Sequence, residues 1–341
     1  MKCLRPTYLG EFKCDGQTCS SRCCKNWRVV IDHDTYKKFL ALDDHNIIDK
    51  ISVDNNAFTV KLKDNGDCPF LDNDLLCSIQ KKYGEAHLSS ICQAYPRVTY
   101  RLNDLLEQSL TLTCPVAARS ILLSTAPISF EYVEIDPPRF IFDWSSRIAS
   151  VDQPVEIQMQ CIKLLQDRSL TVDRRLKNLC LLLNPQAVDH EITFDIESHA
   201  EIMLNIFEQT YSVEMSADKK FNIKNFFVEL RAEILSGLSR GTVFENYLVN
   251  EFFMRCYPFA RDRDRWSSCK TFIVGFKAMQ FALVLNAIAK GGRLSVDETL
   301  NMINVLNERL DHNRGGMAAV DRAARNLDGF DEFVAAMLDS V

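Results

Sequence analysis

The feature that most constrains this chain is a run of thiols. Cys14, Cys19, Cys23 and Cys24 fall within eleven consecutive positions of C-D-G-Q-T-C-S-S-R-C-C-K-N-W. Sulfur at that density is either a covalent framework or a set of ligands. The N-terminal stretch MKCLRPTYLGEFKC has a basic start but no apolar segment and no small-residue cleavage site, so the expected compartment is the reducing cytoplasm. Dense cysteine there points to a metal or cluster site before it points to disulfides. Thiolates are soft ligands that suit zinc and iron–sulfur clusters equally well at the level of sequence. The spacing C-x4-C-x3-C-C matches neither the paired C-x2-C of a zinc ribbon nor the ferredoxin run. Adjacent Cys23 and Cys24 are expected to point in different directions from an extended or helical backbone, which disfavours binding one atom together. A polynuclear cluster, two separate sites, or one ligand beside a packed or catalytic thiol would each accommodate the pair.

Nine of the thirteen cysteines precede residue 115. Cys68 and Cys77 bracket the loop C-P-F-L-D-N-D-L-L-C, Cys92 lies in ICQAYPR, and Cys114 lies in LTCPVAAR. Cys68 and Cys114 each precede a proline, which removes a backbone N–H and stiffens the loop. Cys114 is also expected at a helix N-terminus, where the dipole favours a thiolate. Together Cys14, Cys19, Cys23, Cys24, Cys68, Cys77, Cys92 and Cys114 could make two four-thiolate sites, or one cluster with supporting thiols. Cys161, Cys180, Cys256 and Cys269 fall on apolar helical stripes and read as core. Cys3 is left unassigned. His87 could add a nitrogen ligand beside Cys92, but a satisfied helix histidine is the expectation; the other histidines show no ligand spacing.

Along the chain the pattern changes near residue 125. Before it come short β-like runs (RVVID, 28–32; FTVKLK, 58–63), a helix from Asp34, and the turn signals Asp15-Gly16 and Asn65-Gly66. From an N-cap at Thr113 with Pro115 in the first turn, helical periodicity dominates. The stretch 128–145, with Pro127, Pro137 and Pro138, reads as a linker or irregular crossover. The fold class expected is mainly α: a cysteine-rich α+β metal or cluster module over 1–125, packed on a helical bundle over 126–341.

The 341 residues are 47% apolar with a net charge of −6, enough to bury a core and contrary to an extended nucleic-acid surface. The window 271–289 is the most membrane-like, but Lys277, Gln280 and Asn286 interrupt it, so it reads as a buried core helix and not a transmembrane segment. Peripheral membrane association and homo-oligomerisation stay open. No G-x-G-x-x-G, Walker A or G-x-S-x-G motif occurs, and only twelve glycines serve the chain, which argues against a nucleotide-binding Rossmann domain. The C-x3-C-x2-C triplet of ordinary radical S-adenosylmethionine enzymes is missing as well.

The strings C-x4-C-x3-C-C-x2-W (Cys14 to Trp27), G-D-C-P-F-L (Gly66 to Leu71), L-C-S-I-Q (Leu76 to Gln80), L-S-S-I-C-Q-A-Y-P-R (Leu88 to Arg97), S-L-T-L-T-C-P-V-A-A-R (Ser109 to Arg119) and E-N-Y-L-V-N-E-F-F (Glu245 to Phe253) resemble the flagellin lysine-N-methylases of the FliB type. The resemblance covers about 8–124 and recurs at 243–259. It implies a cytoplasmic methyltransferase that moves methyl groups from S-adenosylmethionine to flagellin lysines before export, with a [4Fe–4S] cluster on the eight N-terminal cysteines. The first half also resembles the broader zinc- or iron-chelating cysteine-cluster domain, which keeps zinc as the alternative metal.

A lysine amine is about 0.04% neutral at pH 7, so such an enzyme needs a base or a desolvating pocket. In E-N-Y-L-V-N-E, Tyr247 and Glu251 are four apart and share a helix face, which makes them the candidate catalytic pair. Asn246 and Asn250 form an adjacent polar row, and Tyr257 offers an aromatic surface for a sulfonium; these three are the candidate cofactor contacts. The competing expectation for this helix is that Glu245 and Glu251 simply face water. Three function classes follow: an iron–sulfur-dependent lysine methylase, a non-catalytic zinc- or iron-binding interaction module, and an electron-transfer or cluster-carrier protein. A cluster with an open iron could chelate S-adenosylmethionine for cleavage or positioning, whereas polar transfer needs no iron.

Overall fold

The computed structural model describes residues 1–14, 22–25, 29–42, 44–54, 57–185, 204, 207–208, 216, 242–259, 264–311 and 316–326. These form two compact units, one of residues 1–119 and 130–144, the other of 120–129 and 145–341. The described chain is mainly helical with two small sheets.

The first unit is organised by strands that carry few cysteines. Strand β1 (Lys2–Pro6) buries Cys3 and Leu4 and begins the larger sheet. The short helix α1 (Tyr8–Glu11) follows, then a 3-10 turn at Arg22–Cys24, β2 (Val30–Ile31), α2 (His33–Ala41) and α3 (His45–Ile48). Strands β3 (Ile51–Asp54) and β4 (Ala57–Val60) complete a three-stranded antiparallel sheet in the order β2-β4-β3. Its inner side and α2 build a core of Val29, Ile31, Phe39, Ile51, Val60 and Phe70, against which Cys24, Cys77 and Cys92 pack.

Helices α4 (Ser78–Tyr83) and α5 (Ser90–Ala94) lead through a cis Tyr95–Pro96 bond into β5 (Arg97–Leu102). A two-residue turn joins it to β6 (Leu105–Leu110); Asn103 takes φ 57°, the left-handed conformation that such a turn demands and that asparagine tolerates. Helix α6 (Pro115–Leu122) starts at the proline, so Cys114, and not Thr113, stands directly before it.

The stretch read as a linker contains strands. β7 (Phe130–Glu134) pairs antiparallel with β1 from Lys2↔Glu134 to Pro6↔Phe130, and β8 (Phe142–Asp143) pairs with β5, giving the sheet order β7-β1-β6-β5-β8. The prolines that suggested irregularity lie between and outside these strands. F-E-Y-V-E alternates polarity as an edge strand does, and Arg5–Glu131 (2.9 Å) fixes its register.

In the second unit α7 (Ser145–Ile148) precedes α8 (Pro154–Leu165) and α9 (Val172–Leu183), then α10 (Val243–Met254), α11 (Arg265–Ala289), α12 (Val296–Asp311) and α13 (Gly316–Asn326). Helix α11 packs against α9, α12 and α13. It is long and apolar enough to cross a membrane, yet its most apolar window is 72% buried inside the unit, the burial expected of a core helix. Its interior charge, Lys277, is neutralised by Asp173 of α9 at 2.7 Å.

Candidate functional site

Five cysteines from four separate stretches line one cavity of about 100 Å³ in the first unit: Cys23, Cys24, Cys68, Cys77 and Cys92. The 3-10 turn delivers the first two, and Cys24 is tied to the next stretch by Cys68 N–H donating to its carbonyl at 2.7 Å. Cys77 precedes α4, and Cys92 sits in α5, whose N-cap Ser89 accepts from the Cys92 N–H. Contrary to the expectation for adjacent cysteines, the Cys23 and Cys24 Sγ atoms lie 3.7 Å apart. The tight 3-10 turn, neither an α-helix nor an extended strand, brings them to the same side.

Burial pushes the Cys68 thiol up to about 11 and that of Cys92 to about 12, and it raises Cys77 as well. Their mutual hydrogen bond lowers Cys23 and raises Cys24, which burial raises further. The donor set is all sulfur and desolvated, the chemistry a soft metal or a cluster takes. Among the described residues, however, no three His, Cys, Asp or Glu side chains are placed to hold a single metal ion. The thiols therefore fit a metal group in kind, lining a cavity without a closed coordination sphere.

The other predicted ligands are placed differently. Cys14 is exposed, Cys114 is half-buried before α6, and neither lines the cavity. Cys19 lies outside the described residues. Cys3 is buried in the sheet and raised to about 11, chiefly by that burial. The ring nitrogen Nδ1 of His87 is satisfied by the Tyr83 carbonyl at 2.6 Å, as a helix histidine would be. Cys161, Cys180, Cys256 and Cys269 are all buried core, and a hydrogen bond with Cys180, together with burial, pushes Cys269 well up.

One residue holding the cysteine wall was missed from sequence. Asp32 caps α2 by accepting from Thr35 N (3.0 Å), accepts from Ser90 N at the start of α5 (2.9 Å), and pairs with Arg139. Its burial would raise the carboxyl, but these hydrogen bonds outweigh it and hold the pKa at about 2. The signal was D-x-x-T before an apolar helix, a capping pattern that puts the cap at Asp32 and starts the helix at His33, one residue before Asp34.

Helix α10 carries the remaining candidates, and every residue from Phe244 to Met254 is buried. Glu245 and Glu251 do not face water; each is 4% exposed. The two carboxylates are paired internally instead. Arg168 and Arg175 grip Glu245 at 2.8 and 2.9 Å, and Arg255 holds Glu251 at 2.7 Å while also reaching Asp311 at 2.8 Å. Tyr247, Glu251 and Tyr257 share one crevice with about 20 Å³ of free volume, room for about one water. Asn246 points elsewhere, its Nδ2 donating to the Leu122 and Ser124 carbonyls, and neither it nor Asn250 lines that crevice. Within the crevice Glu251 Oε1 has no hydrogen-bond partner among the described residues. Burial pushes its carboxyl pKa up, against the opposing pull of Arg255.

Residues 203–338 match the model of the FliB lysine N-methylase C-terminal domain. The chain is 36% identical over 128 residues to the flagellar biosynthetic protein FliU of Salmonella muenchen, covering 34% of this chain and 75% of that protein. It is 35% identical over 127 residues to the lysine-N-methylases of Salmonella typhimurium and Salmonella choleraesuis, covering 34% of this chain and 31% of each relative. The alignment thus spans less than a third of the lysine-N-methylases it matches. No solved structure matches the chain.

Proposed function

This chain belongs to the FliB-type lysine N-methylase family, and from that premise we propose that it transfers methyl groups from S-adenosylmethionine to lysine ε-amines of flagellin. The observation that carries the catalytic part is Glu251: a buried carboxyl with one oxygen unpartnered among the described residues, set beside Tyr247 and Tyr257 in a crevice that admits one water. In polar transfer the amine lone pair attacks the methyl carbon, the sulfonium leaves as a thioether, and the ammonium proton must go to a base. A carboxyl raised by desolvation suits that task, because general bases work best with a pKa near the operating pH. Tyr247 and Tyr257 bound the crevice and limit its water. Arg255, shared with Asp311, keeps Glu251 in place without occupying Oε1.

The cysteine wall is the second part of the proposal. Cys23, Cys24, Cys68, Cys77 and Cys92 form the set from which an iron–sulfur cluster, or zinc, would draw its ligands. Such a group, when bound, would tie these stretches together and contribute folding free energy.

The test is anaerobically purified protein incubated with flagellin and methyl-labelled S-adenosylmethionine. Label on flagellin lysines is the expected result; absence of label from folded, metal-replete protein overturns the methylase reading. Colourless protein holding zinc alone and transferring no methyl would instead identify a binding module.

A further inference from the structure

A second cavity opens at the N-terminal end of α10, with about 420 Å³ of free volume. That falls in the range of small-molecule sites, unlike the one-water crevice at Glu251. Leu122, Val172 and Phe244 supply apolar wall, while Arg168, Arg175 and Glu245 supply charge. Two guanidinium groups against one carboxylate leave the site with one net positive charge.

The hydrogen bonds show where that charge is available. Glu245 accepts from Arg168 Nε and Nη2 and from Arg175 Nη1, so both its oxygens are occupied. Arg168 Nη1 is taken by the Thr125 carbonyl, and Arg175 Nε and Nη1 reach the Leu170 and Leu165 carbonyls. Arg175 Nη2 is left without an acceptor among the described residues, on a side chain only 9% exposed. A guanidinium clamped on this many sides is already oriented, so a ligand oxygen meeting Nη2 costs little ordering entropy. Such a donor edge recognises a carboxylate, and the apolar walls recognise an uncharged body attached to it.

We propose that this cavity seats the carboxylate-bearing amino-acid end of S-adenosylmethionine, with Arg175 as its binding residue and Glu245 and Arg168 as positioning residues. The assignment rests on the methylase reading above. Phe244, at the cavity wall, offers an aromatic face to the sulfonium or the adenine.

Calorimetric titration tests this with two probes, S-adenosylhomocysteine and 5′-methylthioadenosine, which lacks the amino-acid arm. Arg175→Lys keeps the charge but not the planar fork. It should weaken S-adenosylhomocysteine at least tenfold while leaving 5′-methylthioadenosine within about twofold. Leu123→Trp, at an exposed position on the cavity rim, leaves the charged triad intact and should weaken both probes, so the test survives if the arginine variant fails to fold. Both variants binding S-adenosylhomocysteine as the wild type does would overturn the assignment, as would a wild type that binds neither probe. Flagellin labelling measured in parallel separates the two failures. Labelling by wild type with normal binding in both variants removes only this site, whereas no labelling at all removes the methylase reading.

Discussion

Glu251→Gln is the substitution on which the catalytic argument is most exposed. Glu251 Oε2 accepts from Arg255 Nε at 2.7 Å, and the two side chains are 5% and 14% exposed. Glutamine keeps the shape and an acceptor for Arg255, so an ion pair becomes a hydrogen bond from a cationic donor to a neutral amide oxygen, toward the lower end of the ~1.5–3 kcal/mol of bonds to charged groups. Arg255 is not orphaned, because Asp311 still neutralises it at 2.8 Å. The burial of an ionised carboxyl with one empty oxygen is relieved at the same time. The net destabilisation should therefore stay within about 1.5 kcal/mol, well below the ~3–5 kcal/mol of an ordinary broken buried pair. The folded-state pKa of Glu251 is raised, so its contribution is fully present below the ordinary carboxylate value and is lost as pH rises through the folded value. The deficit of the glutamine variant should accordingly be largest on the acid side and shrink upward. Methyl transfer should fall by about 10²–10⁴, the usual worth of a positioned base. Urea unfolding across pH and initial rates of flagellin labelling measure both. A folded variant labelling within threefold of wild type would refute the base assignment, and a loss above about 3 kcal/mol would refute neutralisation by Asp311.

Asp32→Ala removes the α2 cap and the tie to α5, costing about 1–2 kcal/mol near neutral pH. With a folded pKa of about 2, the wild-type advantage is complete above the unfolded value near 3.9 and vanishes as pH falls toward 2, which chemical denaturation between pH 2 and 6 would follow. Asp173→Asn keeps an acceptor but removes the negative charge 2.7 Å from the buried Lys277 ammonium and should cost about 1–2 kcal/mol, discounted because Asp173 is partly exposed; Lys277→Met should lie within about 1 kcal/mol of wild type by the same urea assay. Metal analysis of anaerobically purified Cys68→Ser and Cys92→Ser should show lost iron or zinc, whereas Cys180→Ala should retain it. Equal metal in all three would remove the cysteine cavity as the site.

The concentration of sulfur before residue 115 was legible because it depends on residue type alone, and five of the eight named cysteines do share a cavity. What spacing could not convey is backbone conformation: a 3-10 turn decides that Cys23 and Cys24 face one another, and no composition rule distinguishes it from the helix or strand that would part them. The sheet was harder still. β7 pairs with β1 across more than 120 residues of sequence, and Pro137 and Pro138 were more conspicuous than the alternation of F-E-Y-V-E.

Helix α10 shows how buried polarity can be read from such a segment. The competing reading, in which Glu245 and Glu251 face water, assumes that a helix with acidic residues has a wet face, but V-F-E-N-Y-L-V-N-E-F-F-M has no face free of large apolar side chains. When apolar residues surround a helix on all sides, its polar residues must be interior too, and each then needs a partner supplied by the fold. Arg168 and Arg175 reach Glu245 from at least 70 residues away, a pairing that no local pattern encodes. Absence of an amphipathic stripe, together with several acids and amides, is thus itself a sign of an internal charge network. The atoms that such a network leaves unpaired among the described residues, here Glu251 Oε1 and Arg175 Nη2, are those on which the proposed base and ligand-binding roles rest.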